Sequence, residues 1–60
     1  IMSYIVIKLK NGKAVSGQIN EWRPKDGYLT LVGNEMKFFF SNIAFPKELL
    51  ESARNQGWKG

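Results

Sequence analysis

Apolar and polar residues alternate along the first stretch of the chain. Ile5, Ile7 and Leu9 share one face of an extended segment, and Val6, Lys8 and Lys10 share the other. A period of two belongs to a β-strand, so a strand is expected over about residues 3–10. Asn11-Gly12 follows. Both central positions of a type I′ turn take positive φ, and this dipeptide predicts such a hairpin. A second strand is expected over about residues 13–22, with Val15, Gly17 and Ile19 on one face. A glycine inside a strand marks a bend or a close backbone approach. Arg23-Pro24-Lys25-Asp26-Gly27 reads as a turn, with Pro24 fixing φ and Gly27 permissive. A third strand over about residues 28–32 is almost wholly apolar, Gly33-Asn34-Glu35 turns the chain, and a fourth strand is expected over about residues 36–41. Ser41-Asn42 is too short to cross anything, so residues 43–45 form a short fifth strand or continue the fourth around a corner.

A helix is expected over about residues 46–56. Pro46 suits the first helical position and Glu48 the positive end of the dipole. Leu49, Leu50 and Ala53 form its apolar stripe, Arg54 lies in the last turn, and Gly57 is placed to end it. Trp58-Lys59-Gly60 has no periodicity, and Trp58 is read as packing on the helix or belonging to a loose tail. The pattern therefore predicts one mainly β domain over residues 1–60. Its expected form is a small, strongly bent, five-stranded antiparallel sheet or barrel with one C-terminal α-helix.

Three consecutive phenylalanines, Phe38, Phe39 and Phe40, put aromatic surface on both faces of the fourth strand. A thin domain has one core, so the second face needs a cover. Either another copy of the chain supplies it, or the helix folds back over it. Size favours the copy. A chain of 60 residues buries only about 60% of its unfolded surface, and ordering costs roughly 1.5 kcal/mol per residue. With neither Cys nor His in the sequence, disulfides are excluded and a structural zinc site is not expected.

The same two absences argue against an enzyme. A nucleophile would need a lysine or carboxylate base, and the five acids show neither paired spacing nor a metal-binding cluster. No cofactor is expected. No apolar run approaches a membrane span of about 18–20 residues, and Tyr4 to Leu9 lacks the features of a signal peptide. The expected location is the cytoplasm of a cell or of an infected host. Net charge is +4, biased to the first half through Lys8, Lys10, Lys13, Arg23 and Lys25. That bias favours a polyanionic partner.

The run Leu9-Lys10-Asn11-Gly12-Lys13-Ala14-Val15-Ser16-Gly17-Gln18-Ile19, closed by Tyr28-Leu29-Thr30-Leu31, resembles the first Sm motif of Sm-like proteins, the family that includes bacterial Hfq. The chain is also similar to the small Sm-like proteins of marine environmental and phage sequences. The resemblance covers about residues 4–32. It implies closed homo-oligomeric rings of about five to seven subunits, in which the fourth strand of one subunit pairs with the fifth of the next. Phe38, Phe39, Phe40, Ile43 and Phe45 would then line the joint. It also implies single-stranded RNA as ligand, but Arg23 stands where the family carries a base-binding Asp. Gly27 or Tyr28 replaces its Asn, Ser41-Asn42 replaces its basic-Gly turn, and the helix follows the strands instead of preceding them. No family base contact carries over intact.

The RNA expectation rests instead on Arg23 and Lys25 repeated around a ring, with Tyr28 stacking and Asn42 either contacting a base or making a turn. Trp22 is read first as a cap on the core and second as a stacking residue. The alternative is a non-catalytic protein-interaction or structural ring that binds no RNA.

Overall fold

The computed structural model describes residues 4–44 and 46–60. Five strands, β1 (Tyr4–Leu9), β2 (Ala14–Arg23), β3 (Tyr28–Leu31), β4 (Phe38–Phe39) and β5 (Ile43–Ala44), precede one helix, α1 (Lys47–Asn55). They form one antiparallel sheet in the order β4-β3-β2-β1-β5. The ten-residue β2 carries both halves. Its first part pairs with β1, from Tyr4 opposite Gln18 to Lys8 opposite Ala14, and its second part pairs with β3. β4 and β5 are the two edges of this sheet, and a single 3-10 turn, Phe40–Asn42, joins them. The fold is thus mainly β, a small bent sheet with one C-terminal helix.

The inward faces of the strands meet in one core of Ile5, Ile7, Ile19, Leu29, Leu31, Phe38, Phe40 and Ile43, joined by Ala53 of α1. The alternation of β1 is as its sequence requires, with Ile5 and Ile7 buried and Tyr4, Val6 and Lys8 exposed. In β2 the alternation changes parity. A register shift lies between Ile19 and Glu21, so Ile19 stands opposite Leu31 while Trp22, three residues on, stands opposite Leu29. The extra residue is a β-bulge, which bends the strand and leaves backbone groups unpaired. The buried Thr30 hydroxyl accepts the Glu21 N–H at 3.1 Å, replacing a lost ladder bond.

Several local expectations change. The hairpin at Asn11-Gly12 is present, but it is not type I′, because among the described residues only glycines have positive φ. Gly12 alone adopts it, at +89°. The Gly12 N–H donates to the Leu9 carbonyl at 2.9 Å, the Leu9 N–H to the Lys13 carbonyl at 2.7 Å, and the Lys13 N–H to Asn11 Oδ1 at 2.9 Å. That is a three-residue loop with a glycine bulge, the next commonest hairpin.

The fourth strand shrinks from residues 36–41 to Phe38–Phe39, because Asn34 Oδ1 captures the Met36 N–H at 2.9 Å and residues 40–42 wind into the 3-10 turn. The Ser3 and Phe45 ends of the expected first and fifth strands lie outside the described residues. Pro46 caps α1 from outside, with ψ 144°, instead of opening it from within.

The helix ends as its sequence predicts. Gly57 has φ +107°. Its N–H donates to the Arg54 carbonyl at 3.1 Å, and the Trp58 N–H donates to the Ala53 carbonyl at 2.9 Å. This paired closure is a Schellman motif, and it throws the residue after the glycine back against the body of the domain. No helix among the described residues is long and apolar enough to cross a membrane.

Candidate functional site

The turn after β2 is built by its own backbone. The N–H groups of Asp26 and Gly27 both donate to the Arg23 carbonyl, at 3.2 and 2.9 Å. Pro24 is buried, while Arg23, Lys25 and Asp26 are exposed. A shallow pocket of about 360 Å³ is lined by Trp22, Arg23, Pro24, Lys25, Asp26 and Gln56. Trp22 caps the core, the first of its two expected roles. Its ring lies 5.3 Å from that of Phe40, and its Nε1 donates to Gln56 Oε1 at 2.9 Å. Trp58 meets Phe40 edge-on at 5.1 Å, so two tryptophans pack against one phenylalanine. The stem of Lys25 lies across Gly57, close enough that a Cβ there would come 3.1 Å from Lys25 Cγ. The basic turn is therefore seated on the helix C-terminus and is not a free loop.

Tyr28 begins β3 directly opposite Arg23 and on its other side faces Phe39. Arg23 also pairs with Glu21 at 3.3 Å, with both side chains about half exposed. Such exposed pairs contribute about 0–1 kcal/mol and exchange readily with solvent or ligand. The structure thus gathers Arg23, Lys25 and Tyr28 at one end of the sheet. Asn42 goes elsewhere. Its carbonyl accepts the Lys10 N–H at 3.0 Å, and it lines a separate groove of about 310 Å³ with Lys10, Asn11, Lys37 and Phe39. Four expected RNA contacts therefore divide between two places.

The expected joint residues divide as well. Phe38, Phe40 and Ile43 are buried in the core of their own chain, at 4%, 2% and 7% exposure. The alternation of β4 turns Phe38 inward and Phe39 outward, and Trp22 and Trp58 pack against Phe40 in the turn that follows. Phe39 points out and is 45% exposed, while Phe45 lies outside the described residues. Helix α1 closes one end of the sheet and leaves Phe39 uncovered.

Sequence reasoning missed Lys37. Its ammonium lies 4.9 Å from the centre of the Tyr28 ring. The signal was available, since residues 37 and 39 fall on one face of an extended segment. Met36 and Val32, both largely exposed, carry no such signal in the sequence. Comparison with family models, with curated proteins and with solved structures gives no match, so the residues themselves carry the functional reading.

Proposed function

We propose that this chain is a non-catalytic module that self-assembles through its two sheet edges and binds single-stranded RNA at the Arg23–Gly27 turn, in the manner its resemblance to Sm-like proteins implies. One observation carries the reading. Among the described residues, the strand order leaves β4 and β5 each paired on one side only, a single 3-10 turn apart. Unpaired edges are templates for another strand, and pairing β4 of one copy with β5 of the next extends the sheet from subunit to subunit. Repetition then multiplies a modest basic turn into a continuous positive rim, and each phosphate contact adds a counterion-release contribution.

Native mass spectrometry tests the assembly. The expected result is a closed homo-oligomer. A wild-type chain that stays monomeric at working concentrations removes the ring. Titration of labelled oligouridylate at two salt concentrations tests the ligand. Arg23→Ala with Lys25→Ala is expected to flatten the salt slope by about 1.4, the single-strand value for two phosphate contacts. An unchanged slope removes the turn from the site.

A protein-binding ring without RNA is the second reading. It is favoured by the Glu21 carboxylate paired with Arg23 and by Asp26 in the same pocket, which dilute the positive charge.

A further inference from the structure

The outer face of the sheet carries a rung that the preceding reading uses only in part. Arg23 of β2 faces Tyr28 of β3, and Tyr28 faces Phe39 of β4. Arg23 and Phe39 are exposed and Tyr28 is half-buried. The two rings lie 5.7 Å apart with their planes at 57°, and the Lys37 ammonium hangs over Tyr28. A cation and two aromatic rings thus follow one another across three strands, with a second cation over the middle ring. Among the described residues, the carboxylate bonded to the rung is that of Glu21, held to Arg23 in an exposed pair that a phosphate can replace.

A ligand matched to this surface must present flat faces at intervals along a negative chain. An acidic peptide satisfies the cations and leaves the rings wet; a single-stranded nucleic acid satisfies both. We propose that the rung is a base-stacking platform for single-stranded nucleic acid, with a base seated on Phe39 and with Arg23 and Lys37 meeting phosphates. The proposal rests on the RNA reading above and deepens it. It adds Phe39 and Lys37 to the site and makes stacking the source of affinity. Stacking on Phe39 uses the flat face of a base and needs no 2′-hydroxyl, so RNA and DNA single strands both bind.

Assembly does not obstruct the platform. Strands pair through backbone groups in the plane of the sheet, whereas side chains stand perpendicular to it. The outward residue at the end of β5 is Ala44, too small to cover a phenyl ring beside it.

Labelled oligouridylate and oligothymidylate, titrated by anisotropy into the full chain at two salt concentrations, provide the test. Phe39→Leu keeps the charge and the apolar character but removes the flat face. It is expected to weaken both strands roughly tenfold, with an unchanged salt slope, in line with the loss of one stacked base. Lys37→Gln is expected to reduce the slope by about 0.7. Native mass spectrometry of each variant reads the assembly independently.

If wild type binds neither strand at low salt, the RNA reading falls and the platform with it. If wild type binds but Phe39→Leu and Tyr28→Leu bind as tightly, the platform alone is overturned. The platform alone is likewise overturned if polyglutamate competes as well as an oligonucleotide. Should a variant fail to fold, chemical-shift mapping on the wild type replaces it. Shifts at Tyr28, Lys37 and Phe39 support the platform, and shifts confined to Lys10, Asn11 and Asn42 refute it.

Discussion

Replacing Gly57 by alanine tests how the basic turn and the helix end are fastened together. Gly57 has φ +107°, and its Cβ would meet Lys25 Cγ at 3.1 Å. Holding an L-residue at such a φ costs about 1–2 kcal/mol. Pushing Lys25 aside and loosening the edge-on contact of Trp58 with Phe40 adds about 0.5–1.5 kcal/mol. Against this, alanine restricts the unfolded chain and returns about 0.4–1 kcal/mol. The net expectation is a loss of about 2 kcal/mol, a large share of the roughly 3–9 kcal/mol that a domain of this length has in total. Equilibrium urea unfolding followed by tryptophan fluorescence measures it. With a slope near the low end for small proteins, about 1 kcal/mol per molar, the midpoint should fall by about 2 M. Gly12→Ala is the control. Gly12 also has positive φ, but a Cβ there would meet nothing within 4 Å. That variant should show the backbone cost alone, so the difference between the two isolates the packing of Lys25 on Gly57. If both midpoints fall equally, Gly57 does not clamp the turn to the helix end.

Three further outcomes follow from the core. Thr30→Val leaves the Glu21 N–H at the bulge without its acceptor and should cost about 1–2 kcal/mol in the same unfolding assay, whereas Thr30→Ser should restore most of it. Phe40→Ala removes the ring against which both tryptophans pack. At about 3–5 kcal/mol the loss rivals the whole stability, and near-ultraviolet circular dichroism should collapse. Phe38→Asp should unfold the chain while Phe39→Asp leaves its far-ultraviolet spectrum intact; equal damage from both would contradict the inward and outward assignment of these neighbours.

Much of the fold is legible in the sequence because its signals are local. The two-residue period of Ile5, Ile7 and Leu9, the turn residues between strands, and the Gly57 that ends α1 each act within a few positions, and the structure contains the corresponding strand, turns and helix end. What escapes is set by partners distant in sequence. Nothing in Ile19-Asn20-Glu21-Trp22 announces a bulge; it exists because Trp22, and not Glu21, must meet Leu29 across the ladder. The pattern overstates the length of β4 because Phe40 is as β-prone as its neighbours, yet it is held in the 3-10 turn, with its N–H donating to the Gly27 carbonyl at 2.8 Å. At the candidate site, the cross-strand facing of Arg23 and Tyr28 follows from the hairpin. The divergence of Asn42 does not, since it depends on which way the chain leaves β4.

Taken as a run, the three phenylalanines put aromatic surface on both faces of one strand and call for a cover, from a second chain or from the helix. Within the fold they are three different residues: Phe38 is buried in the core, Phe40 packs against Trp22 and Trp58, and Phe39 alone of the three faces water. The apolar pressure toward assembly is therefore smaller than the sequence implies, and the unpaired backbone of β4 and β5 must supply most of any joint. An exposed Phe39 then needs its own reason. Its neighbours on the outer face, Tyr28 and Lys37, supply an aromatic and a charge. That combination suits a stacked base better than a dry subunit contact, where Lys37 would have to give up its water. The two roles separate experimentally, because Phe39→Leu preserves an apolar contact and abolishes a stacking face. A variant that still assembles but releases its oligonucleotide assigns Phe39 to the ligand, and one that falls apart assigns it to the joint.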